Sequence, residues 1–377
     1  MNLYVLIAII VGIIYLILGT PTAIFLKKKT RESLPLILTI ILLLPCFYYV
    51  AGSQIYSAVA NTNTDCWGNF DQNTPEQFAP LKREVPLNQS QNSENLTTNI
   101  MEGLSQYWWP DYNTTTIPVE DEEIILSAWY LEQNESMPWV MFVHGIRGCK
   151  SGSEQLIPAG MMVNAGFNVI AFDLRDHGES SIDDNLVSGG QDEWKDVVTV
   201  YNWLIDEKGA QEEKIGLFGA SMGAGTVAIA FSMDDRMQAV WLDSGYADMG
   251  KIVTEELEFQ GYPTFLGDAG IFAGKVNAGK NLVEHSPLLA ATEIGERHMY
   301  VAHGNQDKRV QIHHGEEMYN EAIKHGNESN VHSWFQDSVY RYDVGEGLES
   351  DEHVSLMLTH TDEYESRIVE FFRDSLM

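Results

Sequence analysis

Basic residues are scarce in this chain: 23 Lys and Arg stand against 54 Asp and Glu in 377 residues, a formal charge of −31. That imbalance excludes nucleic acid as a partner, because phosphate binding rests on neutralising Lys and Arg. The few basic residues also gather at one end. Residues 1–60 hold Lys27, Lys28, Lys29 and Arg31 against Glu32 alone, leaving 19 basic and 53 acidic residues, a net of −34, on the remainder. Such a surface repels other anions and keeps the chain soluble. Cysteine is equally sparse, three in all, too few for a disulfide scaffold. Cys46 lies in an apolar run, so Cys66 and Cys149 are the one pair open to bridging. Spacing alone supplies no geometry for a bond, and two unrelated small residues are the expectation. Metal-ligand spacings such as His-Glu-x-x-His are absent, and His313-His314 reads as a solvated helix start. Neither a metal nor a cofactor is expected, and there are no internal repeats.

Long apolar runs are confined to the N-terminus. Leu3 to Phe25 would form a helix of roughly 34 Å, enough to cross a bilayer core. Leu34 to Val50 gives roughly 25 Å, with Pro35 and Pro45 inside it. Residues 1–50 therefore read as a transmembrane helical hairpin with spans at about 3–25 and 34–50, and the lipid bilayer is an expected partner. A cleaved signal peptide fits less well, since the start lacks a basic n-region and the apolar stretch is too long. Lys27-Lys28-Lys29-Thr30-Arg31 joins the spans, and so basic a loop stays in the cytoplasm. The acidic remainder is then expected outside it. Residues 51–110 are rich in Asn, Gln, Thr, Ser and Pro and read as a polar linker. Trp67, Phe78, Trp108 and Trp109 are expected to staple it to the domain on its C-terminal side.

From residue 111 to 377 the pattern alternates between strands and helices. Thr114–Val119 and Glu123–Leu131 form an antiparallel opening pair. Trp139–Val143 and Asn168–Asp173 are short β-branched runs suited to buried parallel strands, and Lys214–Phe218, Ala239–Asp243, His298–Ala302 and Val331–Gln336 read as further strands. Helical stretches at Glu154–Ala165, Asp192–Asp206, Met222–Ser232, Gly315–Lys324 and Val354–Phe372 separate or follow them. The order implies an α/β fold, a mostly parallel doubly wound sheet that binds ligands at the C-terminal ends of its strands.

The chemistry-bearing residues fall at those ends. Gly219-Ala220-Ser221-Met222-Gly223 has the G-x-S-x-G form of a nucleophile elbow, in which a strand turns sharply into a helix and exposes the serine. Glycine is expected at 219 and 223 because the Ser221 side chain would crowd anything larger. His144-Gly145-Ile146-Arg147-Gly148 follows the third strand, where the Ile146 amide would join that of Met222 as an oxyanion hole. Serine needs a base oriented by a carboxylate. Asp307, in His303-Gly304-Asn305-Gln306-Asp307, lies just after the seventh strand and is the expected acid, with Asp243 as the alternative one strand earlier. His353 in Asp351-Glu352-His353 precedes the terminal helix and is the expected base. Asp173-Leu174-Arg175-Asp176-His177-Gly178-Glu179-Ser180 is expected to fold into a supporting loop, and Arg147 to form a surface salt bridge. The long connection 246–297 exceeds what a crossover needs. Its Phe259, Tyr262, Phe265, Leu266, Ile271 and Phe272 suggest an apolar lid.

Those five motifs, taken in order from about Asp111 to the end, resemble the α/β-hydrolase superfamily. Within it the chain is similar to membrane-anchored bacterial and archaeal hydrolases and, more remotely, to the catalytic domains of prolyl-oligopeptidase-like serine peptidases. The residue between Arg175 and His177 is Asp where many relatives carry Gly. The resemblance implies a Ser221–His353–Asp307 triad acting on a small-molecule acyl substrate through an acyl-enzyme, without a cofactor. A membrane-anchored carboxylic-ester hydrolase is the leading expectation. A peptidase or amidase is the second, weakened because residues 51–110 are too few for a gating propeller. A non-catalytic binding protein on a hydrolase fold is the third.

Overall fold

The apolar runs assemble into one eight-stranded sheet. In the computed structural model, which describes residues 30–62, 66, 73–78, 104–338, 340–343, 348–351 and 353–377, the strands are β1 (Asn113–Pro118), β2 (Ile125–Leu131), β3 (Trp139–Val143), β4 (Asn168–Phe172), β5 (Ile215–Ala220), β6 (Ala239–Asp243), β7 (His298–Gly304) and β8 (Val331–Gln336). Their spatial order is β1-β2-β4-β3-β5-β6-β7-β8. β1, β2 and β4 pair antiparallel and the rest run parallel. Every residue of β3 to β6 is buried, as expected where helices cover both faces of a sheet.

A long N-terminal helix, α1 (Thr30–Ala60), precedes the sheet. After β3 come α2 (Ser153–Asn164), α3 (Trp194–Lys208), α4 (Met222–Met233), α5 (Met249–Phe259), α6 (Gly267–Asn277), α7 (Leu289–Thr292), α8 (His313–His325), α9 (Leu356–Thr359) and α10 (Thr361–Leu376), with α9 a single turn ahead of α10. One face of the sheet carries α3, α4 and α8 through Val197, Val200, Val227 and Met318. The other carries α2 and α10 through Leu156, Met161, Ile368 and Phe372. The hairpin β9 (Tyr340–Asp343) and β10 (Leu348–Asp351) stands between β8 and α9.

The N-terminal region departs from expectation. The first expected span, 3–25, lies outside the described residues. The second falls within α1, and among the described residues no helix is long and apolar enough to cross a membrane. Nor does the linker begin at residue 51. Helix α1 continues ten residues further, and Ala51, Ile55, Tyr56 and Ala60 are buried against the domain. Small residues make this possible: a Cβ on Gly52 would overlap Ala269 of α6, and one on Gly274 would overlap the Tyr56 ring. Composition reads Ala51-Gly52-Ser53 as linker, whereas the same small side chains let two helices approach closely. Of the expected staples, Phe78 and Trp109 are buried and Trp108 donates from Nε1 to the Phe78 carbonyl at 3.1 Å; Trp67 lies outside the described residues.

Candidate active site

Strand β5 ends at Ala220 and α4 begins at Met222, so Ser221 must turn the chain alone. It does so at φ 56°, ψ −121°, a conformation that costs about 1–3 kcal/mol in an L-residue and lifts the hydroxyl clear of the sheet. The two glycines serve a different contact from the one expected. A Cβ on Gly219 would overlap the backbone of Gly223, and a Cβ on Gly223 would overlap the carbonyl oxygens of Val143 and His144. They let α4 sit against β5 and β3, while the Ser221 side chain faces Gly145. Gly223→Ala is therefore expected to cost at least about 3 kcal/mol, since only backbone could yield. Urea unfolding of the variant would read it directly.

Three side chains from separate loops meet here. His353 Nε2 lies 2.8 Å from Ser221 Oγ, and His353 Nδ1 lies 2.8 Å from Asp307 Oδ2. A carboxylate only accepts, so Nδ1 carries the proton and Nε2 presents a lone pair to the serine hydroxyl. Asp307 is itself fixed, its Oδ1 accepting from the amides of Arg309 at 2.9 Å and Val310 at 3.0 Å. Burial alone would raise its pKa, but the charge of His353 and the hydrogen bonds from His303 and His353 outweigh it and hold the carboxyl below the ordinary range.

Asp243, the alternative acid, has other partners. Its Oδ1 accepts from Ser244 Oγ at 2.9 Å and its Oδ2 from the Tyr364 hydroxyl at 2.7 Å. Ser244 Oγ in turn accepts from the Val354 amide at 3.2 Å. Val354 is a β-branched residue at φ 52°, a strained position that this chain of bonds holds in place beside His353. Asp243 thus anchors the histidine loop from below and leaves the imidazole to Asp307.

The loop after β3 is braced by two histidines. His177 donates from Nδ1 to the Arg175 carbonyl at 2.8 Å and accepts at Nε2 from the Arg147 amide at 3.3 Å. His144 donates to the Gly145 carbonyl and accepts from the Leu174 amide at 3.0 Å. Burial lowers the pKa of both rings, so they brace as neutral imidazoles. The Asp in place of Gly at 176 takes the left-handed conformation that glycine would, at φ 63°. Its Oδ1 also gathers the amides of Asp183, Asp184 and Asn185 at 2.8–3.1 Å, which no glycine could do.

Arg147 makes no salt bridge among the described residues, contrary to expectation. Its Nε donates to the Asn61 carbonyl at 3.0 Å and its Nη2 to those of Ala58 at 3.1 Å and Val59 at 3.3 Å. These are the carbonyls that the C-terminus of α1 leaves without helical partners. The expectation for the cysteines is also overturned: Cys66 and Cys149 form a disulfide with Cα atoms 5.6 Å apart. The chain leaving α1 returns to the end of the sheet where the β3 loop sits, a proximity that spacing cannot reveal. Arg147→Ala is expected to lower kcat about tenfold with little change in melting temperature, because it loosens the Ile146 loop and spares the core. Steady-state kinetics beside a thermal melt would check it.

Ser221, Met222 and Ile146 border one pocket that is partly open to solvent. Its other walls come from Val59 and Tyr56 of α1, from Ile252 and Val253 of α5, and from Leu282 and Val310. The lid residues expected from sequence do not line it. Leu266 is buried, and Phe259, Phe265 and Phe272 face outward. The His pair also differs: His313 and His314 meet Glu255 at 2.7 and 3.1 Å, and His314 is fully buried rather than solvated. His314 Nδ1 accepts from the Ala247 amide, so its Nε2 carries the proton toward Glu255 and offers no lone pair to a metal.

The strand order, the elbow after β5 and the positions of the loops after β3, β7 and β8 decide the classification. The chain has the α/β-hydrolase fold. Residues 158–338 match the prolyl oligopeptidase family. An uncharacterised 31.7 kDa protein of Escherichia coli, encoded between traX and finO, is 32% identical over 165 residues. The match takes in 43% of this chain and 56% of that protein's length. Among solved structures, an esterase of Pyrococcus furiosus superposes with a TM-score of 0.54 at 24% identity, over 71% of this chain and 93% of the esterase. An acylaminoacyl peptidase of Pyrococcus horikoshii superposes with a TM-score of 0.50 at 18% identity, over 71% of this chain and 42% of the peptidase. At such identities the two structures establish a shared fold.

Proposed function

We propose that the protein is a serine hydrolase that cleaves a carboxylic ester. The observation that carries this reading is the unbroken Asp307–His353–Ser221 hydrogen-bonded chain opening onto a pocket. In the first half-reaction the Ser221 proton moves to His353 Nε2 while Oγ attacks the ester carbonyl. The carbonyl oxygen gains negative charge, which the amides of Ile146 and Met222, two residues that border the pocket beside Ser221, would hold; Met222 opens α4, where helix amides lack internal partners. The same proton then passes to the leaving alkoxide, and an acyl-Ser221 remains. Water repeats the sequence to release the acid. Asp307 stays ionised throughout and steadies the imidazolium.

The preference for esters rests on the pocket. Its two charged lining residues, Glu256 and Arg309, pair with one another at 3.6 Å, which leaves little to recognise a peptide backbone. A peptidase is the second reading, favoured by the match of residues 158–338 to the prolyl oligopeptidase family. Parallel assays on p-nitrophenyl esters and on chromogenic peptide amides would separate the two. Turnover of esters with no amide cleavage supports the first, and faster amide cleavage replaces it with the second.

We also propose that the N-terminal region attaches the domain to a membrane, with the domain outside the cytoplasm. The support is the apolar run at 3–25, the apolar first half of α1 and the basic Lys27–Arg31 segment between them. Enzyme activity that resists alkaline extraction from membranes, together with a C-terminal reporter active only outside the cytoplasm, is the expected result.

A further inference from the structure

Residues 34–50 of α1 carry no charged side chain, and the same helix then forms a wall of the pocket through Ile55, Tyr56, Val59 and Ala60. At 1.5 Å per residue, Ile55 lies about 8 Å further along the helix than Val50. The apolar stretch therefore ends within about two helical turns of the space beside Ser221.

The outer surface at this junction is apolar too. Phe259, Phe265, Phe272 and Val276, from α5, α6 and the turn between them, are 55%, 69%, 55% and 54% exposed, and Leu44, Tyr48 and Val50 of α1 are exposed as well. The two sets adjoin. The Tyr48 hydroxyl donates to the Phe265 carbonyl at 3.2 Å, and Tyr49 packs edge-on against Phe272 with ring centroids 6.2 Å apart. Single exposed apolar residues are ordinary, but a cluster of them marks a surface that leaves water on binding. Here it sits on a strongly acidic chain and continues the uncharged half of α1.

We propose that the substrate is a long-chain acyl ester carried in a lipid bilayer. Helices α1, α5 and α6 seat this face on the lipid, and the acyl chain passes along α1 into the pocket beside Ser221. The proposal rests on the ester-hydrolase reading above. A short, soluble ester would gain nothing from such walls, whereas each buried methylene strengthens binding about fourfold. Exposed Glu258, Asp268 and Lys275 flank the patch and would suit the rim of a protein interface. The uncharged run of α1 leading away from the patch instead continues it toward lipid.

The test reads chain length on two chemistries with the full-length protein. Inactivation by ethyl and decyl fluorophosphonates reports chain uptake at Ser221 whatever bond is cleaved, and the decyl probe is expected to react at least tenfold faster. Val59→Trp, which fills the pocket wall, should bring that ratio close to one. Hydrolysis of p-nitrophenyl laurate in phosphatidylcholine vesicles is then compared with that of soluble p-nitrophenyl acetate. The double variant Phe265→Asp/Phe272→Asp is expected to lower the laurate-to-acetate ratio at least fivefold. Equal ethyl and decyl rates in the parent would overturn the acyl pocket. An unchanged ratio in the double variant would overturn the bilayer face. Fast decyl labelling without turnover of any ester would defeat the ester reading while leaving the chain-selective pocket standing.

Discussion

Ser221→Ala is expected to abolish covalent labelling by a fluorophosphonate and to lower kcat by about 10⁴- to 10⁶-fold. The loss is large because His353 Nε2, 2.8 Å from the serine oxygen in the parent, is left with no hydroxyl at that position to activate. The imidazole, its carboxylate and the amides of Ile146 and Met222 would remain, so a residue of rate above water is expected from oriented binding. Folding should survive. Alanine removes one oxygen and leaves Gly219 and Gly223 to pack α4 against β5 as before. Equal labelling of variant and parent in a gel assay would show that the nucleophile is another residue.

Asp307→Asn is expected to lower kcat by about 10³- to 10⁴-fold, and Asp243→Asn by no more than about tenfold. The contrast tests which carboxylate orients the base. An amide at 307 would present its NH₂ to His353 Nδ1 and favour the tautomer with Nε2 protonated, which cannot accept the serine proton. At 243 the carboxylate only anchors Ser244 and Tyr364, so its loss shifts the Val354 turn and keeps the tautomer. A pH dependence accompanies the first substitution. Because the folded pKa of Asp307 is depressed, its contribution to stability is complete above the unfolded value, about 3.9. It is lost as pH falls below that value toward the folded one. Urea melts between about pH 2 and 6 should show the parent losing more stability on acidification than the Asn variant.

Much of this arrangement is legible in the sequence because its parts obey local rules. Trp139–Val143, Ala239–Asp243 and Val331–Gln336 are strands with the expected boundaries, the first two short apolar runs and the third an edge strand of mixed polarity. Ser221, Asp307 and His353 can be placed because each follows a strand at the same end of the sheet, and topology then brings them together. What stays hidden depends on contacts between distant segments. Val59 and Tyr56 line the pocket from a stretch whose composition resembles a linker, and their role follows from the docking of α1 on α6. Arg147 reads as an ordinary surface cation, since nothing in its neighbours announces a helix end 86 residues earlier. Aromatic residues mark out the lid in the sequence. They lie on its outward face, however, and the pocket is lined by the aliphatic side chains of Ile252 and Val253. Amphipathic spacing gives a helix two faces without saying which one meets the substrate.

The bond between Cys66 and Cys149 closes a loop across 83 positions, and by chain entropy a link of that span withholds roughly 4–5 kcal/mol from the unfolded ensemble. It also ties the strand of chain leaving α1 to the neighbourhood of Arg147, so one covalent tether and one guanidinium fasten the same two parts. Thiol-reducing cytoplasm does not support such a link. Material made there would carry a looser rim around Ser221, and assays on it would understate the enzyme unless the protein were oxidised first.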